Sequence, residues 1–116
     1  MKLIYLACPY TDKDEQTEVL RYITASVCAA DRMKRGELIF SPITHSHPIK
    51  HYGRLEGTFE FWKDFCLATL SACQEVYVLT LPGWKESLGV QAEIKLAMTC
   101  KMPVSYLHPF TFDIIT

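Results

Sequence analysis

The sequence lacks most of the short signatures that mark nucleotide-binding and membrane proteins. It contains no GxGxxG, no GxxxxGK[ST] and no GxSxG, so dinucleotide-binding folds, P-loop folds and hydrolases with a serine nucleophile elbow have no support. No apolar run approaches the roughly 18 residues of a membrane span, and the start MKLIYLACPY does not have the pattern of a signal peptide. We therefore expect a cytoplasmic protein with no membrane partner.

The sequence also lacks a surplus of basic residues. Twelve lysines and arginines against thirteen aspartates and glutamates give a formal charge of −1. A protein that binds DNA or RNA has to neutralise a phosphate backbone, so a nucleic-acid polymer is not an expected partner. The length of 116 residues, with 49% apolar and 22% charged residues, is typical of one globular domain, residues 1–116.

The cysteines form no CxxC pair, and their number, five, is odd. Without a secretory signal they are interpreted as reduced thiols that mostly serve as small core residues. Cys8 follows a predicted strand, but no basic partner lies near it in the sequence, which disfavours it as a nucleophile.

Predicted strands alternate with predicted helices along the chain. The strands are KLIYLA, ELIF, EVYVLTL and PVSYL, starting at Lys2, Glu37, Glu75 and Pro103. Helices are predicted at Glu15–Arg35, Thr58–Ala72 and Ser87–Cys100. The first is indicated by helical spacing of apolar residues: Val19, Ile23, Val27, Ala30 and Met33. This alternation predicts an α/β fold with a mainly parallel sheet.

Two segments are assigned less regular structure. Thr44–Gly53, THSHPIKHYG, is rich in histidine and turn-forming residues and is predicted to be a loop, while the tail to Thr116 could add a fifth strand or an arm. Open parallel sheets bind ligands at the carboxyl ends of their strands. A site is therefore expected in the segments Cys8–Thr11, Ser41–His51 and Pro82–Gly89.

Glu93 is the most informative residue of the last helix. At about 100° per residue it projects between Val90, Leu96 and Ala97, on the apolar side. A buried carboxylate without a partner costs several kcal/mol, so its position calls for a reason. It could serve a reaction, or it could be a surface glutamate or the partner of an arginine.

The segment before Glu93 carries further candidates for substrate binding. Gly83 and Gly89 allow a close approach of the backbone to a ligand, and Ser87 at a helix start offers a hydroxyl and free N–H groups. Trp84 could stack on a ligand ring. The alternatives are a plain helix cap for Ser87 and a covering role for Trp84.

The first strand supplies a second group of candidates. The hydroxyl of Tyr5 could orient a carboxylate or could belong to an ordinary core tyrosine. Cys8, Pro9 and Tyr10 stand at the exit of this strand and are candidates for substrate contact.

Three histidines lie in the predicted loop that follows the second strand. His45 and His47 are two residues apart in what is predicted to be extended chain, so their rings could point the same way, and His51 follows. Contact with a substrate or phosphate, simple packing, and a metal-dependent hydrolase are the alternatives; we expect no metal and no cofactor. Ser41, where the loop begins, is a further candidate for substrate binding.

Three segments together resemble the nucleoside 2-deoxyribosyltransferase superfamily, and most of all a small bacterial and phage branch with a GWxxSxGxxxE motif. They are YLACPYT from Tyr5, FSPITHSHPI from Phe40 and GWKESLGVQAE from Gly83. The resemblance implies a flavodoxin-like three-layer sandwich of four or five strands with helices on both faces. It also implies chemistry at an N-glycosidic bond, with Glu93 as the nucleophile and Tyr5 as the residue that holds it.

Two positions depart from the pattern that this resemblance implies. An aspartate before the third strand is replaced by Gln74 or Glu75, and an aspartate four residues after a tryptophan is replaced by Cys66, with Asp64 nearby. These departures leave open which group assists the departing base and whether activity is retained.

The sequence thus leads to one hypothesis with two rivals. A nucleoside or nucleoside 5′-monophosphate is cleaved through a glycosyl–Glu93 intermediate, by hydrolysis or by transfer to another base. The rivals are a nucleotide-binding module without catalysis and the histidine-based metal hydrolase. The apolar tail (Phe110, Phe112, Ile114 and Ile115) further predicts a homo-oligomer.

Overall fold

The fold is described from a computed structural model that covers all 116 residues. It contains four strands and four helices in the order β1 Leu3–Ala7, α1 Glu15–Lys34, β2 Leu38–Phe40, α2 Pro42–Gly53, α3 Phe59–Ser71, β3 Glu75–Leu79, α4 Leu88–Thr99 and β4 Val104–Leu107. None of these helices has the length and hydrophobicity needed to cross a bilayer.

All four strands are parallel and lie in the order β2-β1-β3-β4. The chain moves outward from β1 to β2 and then returns to the other side of β1, so the order reverses between β1 and β3. The α/β class and the parallel sheet are therefore confirmed, in a three-layer arrangement of the flavodoxin-like kind. A ligand site is expected at this reversal, beyond the carboxyl ends of β1 and β3.

Two separate apolar cores cover the two faces of the sheet. One core packs Ile4, Leu6 and Leu79 against α1 and the start of α2. The other packs Tyr5, Ala7 and the valines of β3 against α3 and α4. Because side chains alternate along a strand, β1 contributes Tyr5 to one core and Leu6 to the other.

Helix α1 begins after Asp14, whose side chain accepts a hydrogen bond from the backbone N–H of Gln16. The helix was predicted correctly, but the apolar residues whose spacing predicts it do not form its buried face. That face consists of small or charged residues, namely Glu18, Ala25, Cys28, Ala29 and Arg32. Val19, Ile23, Val27 and Met33 are instead between 39% and 53% exposed.

The prediction of a loop over Thr44–Gly53 is wrong, because these residues belong to α2. Ser41 caps the helix by accepting a hydrogen bond from the N–H of Thr44, and Pro42 begins it with a φ suited to the first turn. Pro48 lies inside the helix and removes one backbone donor. Packing of Ile43 into the core offsets that loss.

The tail after β4 does not form a fifth strand. It makes a single antiparallel bridge between Leu107 and Ile114 and stays against the end of α1, where Arg35 pairs with Asp113 at 2.8 Å. Phe110 is 84% exposed. The tail is thus an arm held by polar contacts and by Phe112, which packs against the core, rather than an additional strand.

Candidate active site

A cavity of about 320 Å³ lies beyond the carboxyl ends of β1 and β3, where the strand order reverses. The segment after β1, the face of α2, the face of α3 and the start of α4 surround it. Of the residues predicted to form a site, those that line it are Cys8, Tyr10, His47, Ser87, Gly89 and Glu93.

Glu93 projects from the second turn of α4 into the floor of this cavity and is only 5% exposed. The predicted burial of this carboxylate is thereby confirmed. Its helix starts at Ser87, whose Oγ accepts a hydrogen bond from the N–H of Val90 at 3.2 Å. Val90, Glu93 and Ala97 then form the buried face of the helix. The carboxylate is fixed on a rigid element with an apolar residue on either side.

One hydrogen bond holds the Glu93 side chain. The hydroxyl of Tyr5, from the interior of β1, donates to Oε2 of Glu93. No lysine, arginine or histidine forms an ion pair with this carboxylate. Tyr5 does not line the cavity itself; it supports Glu93 from beneath.

Burial governs the titration of this pair. It raises the pKa of Glu93 to about 8, and the hydrogen bond from Tyr5 opposes this rise only in part. Burial, and then the neighbouring Glu93 charge, raise the pKa of Tyr5 well above its usual value. The tyrosine therefore stays a hydrogen-bond donor, while Glu93 exchanges its proton near neutral to mildly alkaline pH.

Two thiols line the cavity, and neither is poised to attack a substrate. Burial raises the pKa of Cys66, on α3, to about 11, with Glu93 as the second cause. Burial also raises the pKa of Cys8 strongly, and its Sγ lies 3.4 Å from the carbonyl oxygen of Pro9. Because the thiolate is the nucleophilic form, both cysteines are inert at neutral pH.

A chain of polar contacts forms the wall on the α2 side. Lys50 Nζ lies 2.9 Å from a carboxylate oxygen of Glu18 and 4.6 Å from the centre of the Tyr10 ring. The Tyr10 hydroxyl lies 2.6 Å from Nδ1 of His47, whose ring stacks on Tyr22. Burial, then the nearby Lys50 and His51, lower the pKa of His47. This histidine is neutral at pH 7, so its tautomer sets which of the two atoms donates in this hydrogen bond.

The same wall contains a hydroxyl without a partner. Ser46 Oγ is shielded from solvent, has no hydrogen-bond partner and belongs to a residue that lines the cavity. A buried hydroxyl normally finds a partner, so a ligand is one way to satisfy it. Lys63 also lines the cavity and pairs only with the exposed Glu60, at 3.4 Å. The charge of Lys50 is already matched by Glu18, so Lys63 is the more available cation.

Five residues predicted to bind substrate lie outside the cavity lining. Pro9 is buried in the protein interior. Ser41 is occupied as the cap of α2, and the exposed ring of His45 stacks on Phe65 with the ring centres 4.8 Å apart. Gly83 has a φ of 94°, and Trp84 packs on Tyr106 with the ring centres 5.4 Å apart. Their part in binding stays a prediction.

Arg21 of α1 joins two of the segments that border the cavity. Its guanidinium donates to the carbonyl oxygens of Tyr10 and Thr11, after β1, and to that of Pro82, after β3, at 3.1–3.3 Å. A side chain at position 83 would place its Cβ 2.8 Å from this guanidinium. Glycine is therefore favoured at position 83 for its positive φ, and a larger residue there would displace the Arg21 guanidinium.

The geometry on which the metal hypothesis depends is not found. Because His45 and His47 belong to a helix, their side chains leave it about 200° apart rather than on one side. His45 stacks on Phe65, His47 on Tyr22, and His51 contacts Tyr52. No group of three histidine, cysteine or carboxylate side chains is arranged to hold a metal ion.

The positions that depart from the resemblance separate into two groups. Cys66 lies in the site, beside Tyr5 and Glu93. Gln74 accepts a hydrogen bond from the N–H of Leu3, and Glu75 pairs with Lys2. Gln74 and Glu75 thus stand at the amino ends of the strands, away from the cavity. Neither can assist chemistry at Glu93.

Sequence reasoning missed the wall that α3 contributes, whereas the α2 wall lies within the predicted segment Ser41–His51. The lining residues from these helices and their caps that were not singled out as substrate-binding are Pro42, Ile43, Ser46, Lys50, Thr58, Phe59, Trp62, Lys63, Cys66 and Leu67. A helical reading of 42–53 would have indicated Ile43, Ser46, His47 and Lys50 by their i, i+3, i+4 and i+7 spacing.

The fold and the cavity define a three-layer α/β protein with a buried carboxylate at the reversal of its sheet. The chain belongs to the family described as domain of unknown function DUF1937, whose model matches residues 2–108. No curated protein matches it. The matched region includes all four strands, all four helices and every residue of the cavity lining.

Proposed function

We propose that this protein cleaves the N-glycosidic bond of a nucleoside or nucleoside 5′-monophosphate through a covalent glycosyl–Glu93 intermediate. The observation that carries the proposal is the environment of Glu93. This carboxylate is buried, has no cationic partner and accepts a hydrogen bond from a tyrosine, and it faces a cavity large enough for a sugar ring. A carboxylate kept for stability would normally have a charged partner. The sequence resemblance described above leads to the same reaction.

In the proposed reaction the ionised Glu93 attacks the anomeric carbon as the bond to the base breaks. The bonding electron pair leaves with the base nitrogen, which takes a proton, and an ester joins the sugar to Glu93. Water or a second base then attacks the same carbon and restores the carboxylate. Before the attack, the negative charge next to the forming oxocarbenium ion stabilises the transition state.

Tyr5 is the positioning residue in this scheme. Its hydroxyl donates to Oε2, which holds the carboxylate in one orientation and directs the remaining lone pairs toward the cavity. Because burial keeps the tyrosine protonated, this hydrogen bond persists when Glu93 ionises.

The polar groups of the cavity support a phosphorylated substrate. Lys63, with its weak exposed partner, supplies a positive charge, and the hydroxyls of Ser46 and Ser87 supply donors. We therefore propose a nucleoside 5′-monophosphate as the preferred substrate. The proposed place of the reaction is the cytoplasm. The neutral His47 binds rather than protonates the substrate at pH 7.

The test is a panel of ribonucleosides, deoxyribonucleosides and their 5′-monophosphates, incubated at pH 8.5, with release of the free base followed by chromatography. Glu93→Gln keeps the shape of the side chain and should lower the rate by roughly 10³-fold or more, as loss of a nucleophile does. Asp64→Asn is the matched control, because it removes an exposed carboxylate of α3 that lies outside the cavity lining. A rate unaffected by Glu93→Gln would contradict the assignment.

The covalent intermediate can be sought directly. A 2-fluoro-substituted sugar withdraws electrons and slows both steps of such a reaction, so a nucleoside with a good leaving base should leave its sugar on the enzyme. Mass spectrometry of a digest is expected to place the added mass on the peptide that contains Glu93. An added acceptor base separates the two outcomes: a new nucleoside indicates transfer, and free sugar alone indicates hydrolysis.

A second candidate, a nucleotide-binding module without catalysis, is favoured by one observation. With its pKa raised to about 8, Glu93 is mostly protonated at pH 7 and could donate a hydrogen bond to a bound base or sugar. Calorimetric binding at pH 7 that weakens at pH 9, with no turnover of any substrate at either pH, would favour this candidate over the enzyme.

A further inference from the structure

The solvent face of α1 carries an ordered pattern that the fold does not use. Six exposed residues follow one another at alternating intervals of four and three positions: Gln16, Leu20, Ile23, Val27, Ala30 and Lys34. We call this set the α1 seam. Leu20, Ile23 and Val27, at its centre, are 63%, 48% and 53% exposed. Intervals of four and three are the spacing by which one helix packs along another in a coiled coil.

The α1 seam is opposite the buried face of the helix. At 100° per residue, the buried Ala25, Cys28 and Ala29 lie on the far side from Ile23 and Val27. No other element of the chain can therefore cover the seam. The hydrophobic signal that predicted α1 in the sequence came largely from residues that the monomer leaves in water.

The order of side chains along the α1 seam indicates that its partner is the same seam on a second copy of the chain. Suppose that two copies of α1 pack antiparallel through their seams, with the two-fold axis at the height of residue 25 along the helix. Each seam residue then faces the residue of the other copy for which the two residue numbers add to 50. Leu20 then faces Ala30, a large residue against a small one, and Ile23 faces Val27. At each end Gln16 faces Lys34. Under this one two-fold rotation a large residue meets a small one, apolar residues meet apolar residues, and polar residues meet polar residues.

Charge agrees with the same arrangement. The first turn of α1 is acidic, with Asp14 and Glu15 exposed, and the last turn ends in the exposed Lys34. An antiparallel pair brings each acidic start beside the basic end of the other helix and also opposes the two helix dipoles favourably. A parallel pair would place like charges together at both ends.

We infer that the α1 seam is the contact surface of a homodimer in which two α1 helices pack antiparallel. This inference depends on the described surface alone and is independent of the proposed reaction. It differs from the sequence expectation of an oligomer formed through the tail, because the tail lies at the end of α1 and is held there by Arg35. One helix pair is a small interface, so a reversible dimer in the micromolar range is expected.

The first experiment is sedimentation equilibrium over roughly 5–500 µM, the range in which such a dimer dissociates. Ile23→Glu places two carboxylates in the seam and should weaken the dimer by about tenfold or more. Met98→Glu is the matched control, since Met98 is a 69% exposed apolar residue of another helix. Both variants should keep the helical circular dichroism of the natural protein.

The second experiment tests the direction and register of the helices by cross-linking. In a background in which the exposed Cys100 is replaced by serine, chains carrying Leu20→Cys are mixed with chains carrying Ala30→Cys. The antiparallel arrangement predicts an oxidised heterodimer in the mixture. Little disulfide should form in either variant alone, because positions 20 of the two copies are about 15 Å apart along the axis.

Three results would overturn the inference. The protein could remain a monomer over the whole concentration range. It could form a dimer that Ile23→Glu leaves intact and that Phe110→Asp, in the tail, dissociates. Or disulfides could join two Leu20→Cys chains while no heterodimer with the Ala30→Cys chains forms, as parallel helices would give.

Discussion

Two glutamates of this protein accept a hydrogen bond from a tyrosine of the sheet, and they differ in depth of burial and in their charged neighbours. Glu93 accepts from Tyr5 of β1, and Glu37 accepts from Tyr77 of β3, on the opposite face. Glu37 also receives two N–H groups of Arg32, at 2.6 and 2.9 Å. Glu93 has no cation. The protein thus contains the same carboxylate–phenol pair with and without a guanidinium.

Burial and the guanidinium together set the charge of each carboxylate, because Glu93 is 5% exposed and has no cation, whereas the side chain of Glu37 is 24% exposed and pairs with Arg32. Burial alone would raise the pKa of Glu37, but the hydrogen bonds from Arg32 and Tyr77 outweigh it and lower that pKa. At Glu93 burial prevails and the pKa rises to about 8. Glu37 is therefore ionised at neutral pH and ties the end of α1 to β3, whereas Glu93 can change its charge near that pH.

The largest effect is expected when the guanidinium of Arg32 is removed from Glu37. Arg32 is 6% exposed and also donates to Tyr77 and to the carbonyl oxygen of Phe112. Arg32→Met leaves Glu37 without its cation, and we expect a loss of about 3–5 kcal/mol in the free energy of unfolding, measured with urea at pH 7.

The control for this prediction is Arg35→Met, in the next turn of chain. Arg35 forms its ion pairs with Asp31 and Asp113 at the surface, where such pairs contribute little. Its loss should be clearly smaller than that of Arg32→Met. Equal losses for the two variants would show that Arg32 is no more than another surface ion pair.

The two carboxylates should make the stability of the protein change with pH in opposite directions. The pKa of Glu93 is raised on folding from an ordinary value of 4.5 to about 8, so its stabilising contribution is present below pH 4.5 and is lost as the pH rises to 8. Glu93→Gln should therefore become increasingly more stable than the natural protein between these limits, by at most about 5 kcal/mol.

Glu37→Gln should show the reverse dependence. Because the pKa of Glu37 is lowered on folding, its contribution is present above the ordinary pKa and is lost as the pH falls through the folded value. This variant should be less stable than the natural protein at pH 7 and similar to it in strong acid. Thermal unfolding of both variants from pH 3 to 9 measures the two trends, and parallel trends would contradict the distinction drawn between the sites.

The smallest expected effect is that of the tyrosines on the proposed reaction. Tyr5→Phe removes the only hydrogen bond that lowers the pKa of Glu93, so the rise of kcat/KM with pH should move to higher pH, and the rate at pH 8 should fall by roughly tenfold. Tyr77→Phe removes the equivalent hydroxyl from the other face and should leave the pH profile unchanged. A profile that Tyr5→Phe does not move would show that the hydroxyl does not position the carboxylate.

Much of the scaffold could be predicted because its signals are local. The four strands are short apolar runs bounded by proline, glycine or charged residues, and α4 follows a serine cap. The inward direction of Glu93 followed from helical phase alone. The rule that open parallel sheets bind ligands at the carboxyl ends of their strands then identified three segments that contribute to the cavity.

The remainder depends on contacts between distant residues. Pro48 and three histidines give Thr44–Gly53 a weak helical propensity, and the segment is helical because Ser41 caps it and Ile43 packs in the core. In α1 the exposed apolar residues gave the stronger periodic signal, while the true inner face uses alanine, cysteine and paired charges. The segment of the α2 wall was predicted, but which of its side chains face the cavity could not be foreseen without its helical structure.

The contacts of Arg21 have a consequence for how a ligand enters. Because one guanidinium joins the segment after β1 to the segment after β3, neither border of the cavity can swing away alone without breaking hydrogen bonds. The two segments therefore move together with α1 rather than as a pair of independent flaps.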